Sequence, residues 1–277
     1  MLNGYDIAYG LGLGLAAPVW LAVPKTRRKV LKALRQRMGQ VDARPGDAPA
    51  VMIHAVSLGE MNATRAMVAR LREMKPGLQF ILSTTTDTGF NRGVELYGSA
   101  ADCRVIRYPL DFSSAVARVL DDLKPSLVVL MELEVWPNFL VHCRRRGIPV
   151  LLVNGRLTPS SFSNYKWAGP ITAKMFRRLE RVCAQEQTYA DRFVALGAPA
   201  DRVCVTGTMK FDNAQVADRI DGAGRRADRA RRASLAAHES SKAAARDRPP
   251  SPRAIRRSRE ADRVRRLPSP AAIESQI

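Results

Sequence analysis

Between residues 51 and 206 short apolar runs alternate with segments of helical period, and this alternation restricts the fold more than any other property of the chain. The apolar runs fall at 51–53, 79–85, 103–108, 127–131, 150–153, 182–184 and 203–206. They are apolar nearly throughout rather than at every second residue, as strands buried on both faces require. Helical candidates separate them. After the first run Thr64, Met67, Val68, Leu71 and Met74 repeat on one helical face. Thr86-Asp87-Thr88-Gly89 reads as a turn opening a helix, and further helices are expected at 113–123, 138–146 and 188–196. A longer helix or helix pair over 162–179 is broken at Gly169-Pro170. Six or seven parallel strands joined in this way predict an α/β fold, a doubly wound parallel sheet ending near residue 215.

The flanks have another character. Residues 7–23 are apolar, and seven Lys and Arg with no acid follow between Lys25 and Arg37. That length is the low limit for a spanning helix, and Pro18 can kink it. Two readings stand side by side: a helix that spans the membrane, or one lying among headgroups with the cationic stretch on anionic lipid. Both place the chain on the cytoplasmic face of a membrane. From residue 221 onward Arg, Ala, Ser and Pro dominate and aromatics vanish, so this segment is expected to be disordered. The organisation is therefore a membrane-anchoring helix with a cationic flank at 1–39, a Rossmann-like domain at 40–220 and a low-complexity tail at 221–277. The tail holds 15 Lys and Arg against 7 Asp and Glu of a formal net charge of +19, so overall basicity is no argument for nucleic acid. Four dispersed cysteines without a CxxC pair read as reduced core residues. Three histidines without ligand spacing disfavour a metal site.

A parallel sheet gathers the loops after its strands at one edge, where such folds bind ligands. Three stretches are expected to meet there: residues 57–60, 132–138 and 207–212. The first, Ser57-Leu58-Gly59-Glu60, is a strand-to-helix turn that carries a carboxylate at a helix N-terminus, whose dipole favours the anionic form. Glu60 reads either as a base or as a helix cap. Glu132-Leu133-Glu134-Val135-Trp136-Pro137-Asn138 follows the most apolar strand with two carboxylates beside a tryptophan; one glutamate as a cap and Trp136 as surface packing is the plainer alternative. Lys210 lies just past the last strand, where a solvated lysine is equally natural. His54 falls inside a strand and reads as a hydrogen-bonded core histidine. Arg144, Arg145 and Arg146, with Lys174, Arg177, Arg178 and Arg181, read as solvated helix faces that could also meet phosphates. No GxSxG elbow, P-loop or GxGxxG is present.

His54-Ala55-Val56-Ser57-Leu58-Gly59-Glu60, residues 132–138, Asn154-Gly155-Arg156-Leu157 and residues 207–212 stand in the order and spacing of the 3-deoxy-D-manno-octulosonic acid (Kdo) transferases, which the chain resembles over about residues 1–220. The resemblance implies the N-terminal half of a GT-B fold, in which one Rossmann-like domain receives a lipid A precursor and a second binds the donor CMP-Kdo. It implies Glu60 as the proton acceptor, Glu132 and Lys210 as transition-state stabilisers, and Ser57, Gly59 and Arg156 at the acceptor. It implies no cofactor and no metal, and an inner-membrane location with the catalytic domain facing the cytoplasm. Leu133, Gly155 and Thr208 depart from the family pattern, where threonine, alanine, and asparagine or serine are usual. After residue 220 nothing resembles the donor domain's nucleotide-binding loops, and the Arg, Ala and Pro bias looks like a GC-rich gene read out of frame. A truncated or frameshifted product holding only the acceptor half is the expectation, with its activity alone in question. Two other classes stay open: a non-catalytic module binding lipid A or a membrane surface, and nucleic-acid binding through the basic tail.

Overall fold

The computed structural model describes residues 3–24, 27 and 33–209. The expectation of a disordered tail at 221–277, and Lys25, Arg28, Lys29 and Lys32 of the cationic flank, lie outside them. In chain order the elements are α1 (Gly4–Ala22), α2 (Leu34–Arg37), β1 (Ala50–His54), α3 (Leu58–Met74), β2 (Gln79–Thr84), α4 (Asp87–Tyr97), β3 (Cys103–Arg107) and α5 (Ser113–Leu123). There follow β4 (Leu127–Met131), α6 (Pro137–Arg145), β5 (Val150–Gly155), α7 (Pro159–Trp167), α8 (Gly169–Phe176), β6 (Arg181–Ala184), α9 (Gln187–Ala195) and β7 (Val203–Val205). The strands form one parallel sheet in the order β3-β2-β1-β4-β5-β6-β7. The chain starts at β1, winds outward to β3, then crosses back to lay β4 against the other side of β1. The winding direction reverses between β1 and β4, and that is where an open α/β sheet leaves a crevice.

Successive strand residues point to opposite faces, so each strand feeds two cores. Met52, Val128 and Leu130 pack with α5, α6, α8 and α9 on one side, whereas Val51, Ile53, Val129 and Met131 pack with α3 and α4 on the other. This two-sided burial is why the runs read as continuous rather than alternating. The apolar face of α3 is set one turn earlier than the residue spacing predicted. Met61 is fully buried and Met74 is 68% exposed, because the helix begins at Leu58 and its last turn overruns the sheet.

The N-terminal helix departs from one expectation. Among the described residues no helix is long and apolar enough to cross a membrane. The first turn of α1 is spent on the domain instead. Asn3 and Asp6 form a capping box, and the buried Asp6 carboxylate accepts from the Ser113 N–H at 2.8 Å and the Asn138 side chain at 2.8 Å. Asn3 donates to Ser113 Oγ at 3.0 Å and to Asn138 Oδ1 at 2.9 Å. Three helix starts, α1, α5 and α6, are tied in one polar knot. Beyond Asp6 the helix rises only about 24 Å at 1.5 Å per residue, short of the roughly 30 Å hydrocarbon core. Arg37, read as part of the lipid-facing flank, is half-buried and donates to the Thr85 carbonyl.

Candidate functional site

The crevice between β1 and β4 is built from the turns that follow them. After His54 the chain turns at Val56 and Ser57 into α3, and the turn is fixed from both sides. The Val56 carbonyl accepts the hydroxyls of Thr84 at 2.9 Å and Thr86 at 2.5 Å. Thr86 in turn caps α4 by accepting the Gly89 N–H at 3.1 Å. Ser57 is the N-cap of α3, its Oγ accepting from the Glu60 N–H at 3.2 Å. The Glu60 carboxylate accepts the Val56 N–H at 3.0 Å and the Ser57 N–H at 3.3 Å. The capping alternative raised for Glu60 is thus part of its geometry. It does not occupy the group fully. An ionised carboxylate has about four lone-pair sites, so two bonds fix its direction and leave acceptor capacity on a partly exposed side chain. Gly59 lies exposed in the first turn beside it.

Just past β4, Glu132 has a left-handed backbone, φ 55°, while its N–H still pairs with the Val153 carbonyl at 3.0 Å. Left-handed non-glycine residues cost energy and concentrate where a fold aims a particular side chain. Asn154, at the end of the adjacent β5, is a second such residue, φ 53°. Its buried side chain accepts the Met209 N–H at 3.1 Å. That bond carries the convergence of the third stretch. By strand order β7 lies three places from β4, yet the chain after it folds back over β5 and lays Met209 against the core beneath β1 and β4. Lys210 follows immediately and lies outside the described residues. Arg156 is exposed just beyond β5. The structure therefore puts Ser57, Gly59 and Glu60 on the turn after β1, Glu132 and Glu134 on the turn after the neighbouring β4, and Arg156 just beyond β5.

Neither glutamate of the 132–138 stretch is needed to start α6. Trp136 is its N-cap and its side chain makes no capping bond, and the Asn138 and Phe139 N–H groups go to the carboxylate of Asp111 at 3.0 and 2.9 Å. Glu134 is turned inward, accepting the Trp136 indole N–H at 3.1 Å and facing His54 Nε2 at 3.9 Å, too long for a direct hydrogen bond. Burial would raise the Glu134 carboxyl, but the imidazole and the indole outweigh it and hold it below the usual carboxylate range. His54 is a core residue as read, fully buried and stacked on Tyr108 with ring centroids 3.8 Å apart. Its Nδ1 meets the Ser83 hydroxyl at 2.9 Å because the two residues are register partners on β1 and β2. The structure adds that its other nitrogen, without a hydrogen-bond partner, faces the Glu134 carboxylate from below.

Asp111 and the binding role of Asn154 are absent from the sequence reading. Asn154 had a signal, since an asparagine closing an apolar run before glycine tolerates a left-handed backbone. Asp111 had none, because it acts on a helix 27 residues away. The four cysteines are unpaired, with Cys143 buried and the other three partly so.

A family model described as 3-deoxy-D-manno-octulosonic-acid transferase (kdotransferase) matches residues 32–213. The 3-deoxy-D-manno-octulosonic acid transferase of Bordetella pertussis is 37% identical over 215 residues, 74% of this chain and 49% of that protein. The enzyme of the same name from Haemophilus influenzae is 30% identical over 164 residues, 58% of this chain and 38% of that one. The chain spans about half or less of the length of the curated relatives it matches. Among solved structures, the UDP-GlcNAc 2-epimerase of Neisseria meningitidis is 15% identical with a TM-score of 0.44, over 58% of this chain and 47% of that one.

Proposed function

This chain belongs to the family of 3-deoxy-D-manno-octulosonic acid transferases, and from that premise we propose that it carries the acceptor side of a transfer of Kdo from CMP-Kdo to a lipid A precursor. One observation carries the reading: a carboxylate fixed by two backbone N–H groups stands at the winding reversal of the sheet, with two further carboxylates on the turn after the neighbouring strand β4. In the proposed step a hydroxyl oxygen of the acceptor attacks the anomeric carbon of Kdo. The bond from that carbon to the phosphate oxygen breaks, CMP leaves with the electron pair, and the hydroxyl proton passes to Glu60. A base of this kind must be ionised before the attack and within one hydrogen bond of the proton. The bonds from Val56 and Ser57 supply that aim, because they leave the carboxylate no freedom to rotate away. Glu132 and Lys210 are proposed to stabilise the charge that develops as CMP departs. Ser57, Gly59 and Arg156 are proposed to contact the acceptor.

The proposed location is the cytoplasmic face of the inner membrane, with α1 lying in the interface rather than across it. Ile7, Leu11 and Leu15, spaced four residues apart on one helical stripe, are 59%, 63% and 82% exposed, which supports that posture. The test of the assigned base is Glu60→Gln, assayed for transfer of Kdo from CMP-Kdo and for equilibrium binding of the lipid A precursor. Turnover should fall by about 10²- to 10⁴-fold, the usual contribution of a positioned base, while acceptor affinity stays near that of the parent chain. Unchanged turnover would show that another group takes the proton.

A further inference from the structure

A second concentration of charge lies at the opposite edge of the sheet, away from the crevice. The last turn of α6 brings Arg144 and Arg145, and the end of α8 brings Lys174, Arg177 and Arg178, around a concavity of about 580 Å³ with Val141 in its wall. Both helices run back from the C-terminal edge and end just before β5 and β6 begin. The concavity is therefore separated from the Glu60 turn by the length of a strand, about 17 Å. Two sequence segments that are 29 residues apart, from Arg145 to Lys174, meet there only because β5 and its crossover return the chain.

Among the described residues, five cations and no acid line the concavity. Several cations elsewhere are matched to acids. Arg146, next in sequence, is held by Asp121 through a two-pronged pair at 2.8 and 2.9 Å. Arg70, Arg72, Arg92, Arg107 and Arg202 each have a carboxylate within 4.0 Å. Among the described residues none of the five has one. Cations at helix C-termini are favoured by the dipole, and Arg177 and Arg178 do donate to the carbonyls of Ala173 and Lys174. Two helix ends supply only about one negative charge between them, roughly half each, against five positive. Arg178 shows the imbalance. It is half-buried, and burial followed by the charge of Arg144 holds its guanidinium below the usual value. A concavity of this size accepts a small-molecule ligand, and guanidinium forks match phosphate oxygens two at a time.

We infer that the concavity between the ends of α6 and α8 is a binding site for a phosphate-bearing anion, distinct from the crevice at the other edge of the sheet. The same chemistry is offered by a soluble phosphate and by an anionic lipid headgroup. The inference does not rest on the transfer reaction and survives if that reading fails.

The full chain can be titrated with inorganic pyrophosphate, and separately with phosphatidylcholine vesicles with and without phosphatidylglycerol. Arg144→Ser/Arg178→Ser is compared with Arg70→Ser, which removes an exposed cation elsewhere. The double variant should bind one or both probes at least about tenfold more weakly, while Arg70→Ser changes little; tenfold corresponds to about 1.4 kcal/mol. Loss with pyrophosphate assigns a soluble phosphate, and loss confined to phosphatidylglycerol vesicles assigns a headgroup. Equal binding by the parent chain and the double variant for both probes, or an equal loss in Arg70→Ser, would overturn the inference. Thermal unfolding should be unchanged in both variants, since the replaced side chains lie at the surface or its margin.

Discussion

Asp111 is the residue on which the N-terminal side of the crevice rests. It caps α6 with both carboxylate oxygens, meets the hydroxyl of Tyr5, and is 1% exposed. Burial pushes its carboxyl up to about 7, against the pull of the Asn138 and Phe139 N–H groups and with a push from the nearby charge of Asp6. The neighbouring Asp6 goes the other way, because the Ser113 and Asn3 N–H bonds outweigh its burial. An unfolded aspartate titrates near 3.9. Between that value and about 7 the native state keeps a proton that the unfolded state has released, so the contribution of Asp111 to stability falls as pH rises through the window. Asp111→Asn should flatten the slope of unfolding free energy between pH 4 and 7 relative to the parent chain, by at most about 4 kcal/mol at 1.36 kcal/mol per unit. Urea denaturation at several pH values reads this directly, and parallel slopes would show that Asp111 does not titrate there.

At the scale of elements, the crevice depends on how closely α4 approaches the turn after β1. Gly89, in the first turn of α4, lies where an added Cβ would come 2.5 Å from Thr84 Oγ1 and 2.8 Å from the Val56 carbonyl. Those atoms are the clamp that fixes the Glu60 turn. Gly89→Ala should therefore cost about 2–3 kcal/mol, the upper range for an overpacked site, seen as a lower urea midpoint. It should also weaken the transfer activity proposed for Glu60, since displacing Val56 displaces an N–H that aims the carboxylate. Gly155 is a milder case. A Cβ there would sit 3.0 Å from the ring of the buried Phe193 and 3.3 Å from the Cys183 carbonyl. Gly155→Ala should cost about 1 kcal/mol, and a gain in stability would show that Phe193 yields freely.

For the whole molecule, α1 is fixed at its first turn and presents exposed apolar side chains at Ile7, Leu11 and Leu15. Asn3 and Asp6 join it to the starts of α5 and α6, so the stripe of Ile7, Leu11 and Leu15 has a set direction relative to the sheet. Leu11→Ser/Leu15→Ser should reduce partitioning onto phosphatidylcholine vesicles by about tenfold or more, since burying one leucine side chain is worth roughly 1.5–3 kcal/mol, and should leave thermal stability nearly unchanged. Vesicle flotation separates this from the charge-driven binding proposed at the other edge, which needs an anionic lipid.

The alternation of apolar and helical segments determined the parallel sheet and nearly every element boundary, because burial on two faces and the helical period are written locally in the residues. The spacing of the motifs around Glu60, Glu132 and Asn154 carried the family. Neither could say which strand lies beside which. The order β3-β2-β1-β4, which puts the turn of Glu60 beside the turn of Glu132 and Glu134, follows from the crossover after β3, and it becomes visible only when the chain has packed. The return of Met209 to Asn154, the capping of α6 by Asp111 and the docking of α1 through Asp6 are likewise bonds between residues 27 to 132 positions apart. No local pattern encodes such pairs. They form because a buried N–H or carboxylate without a partner is too costly to leave, and the partner within reach is decided by the tertiary fold.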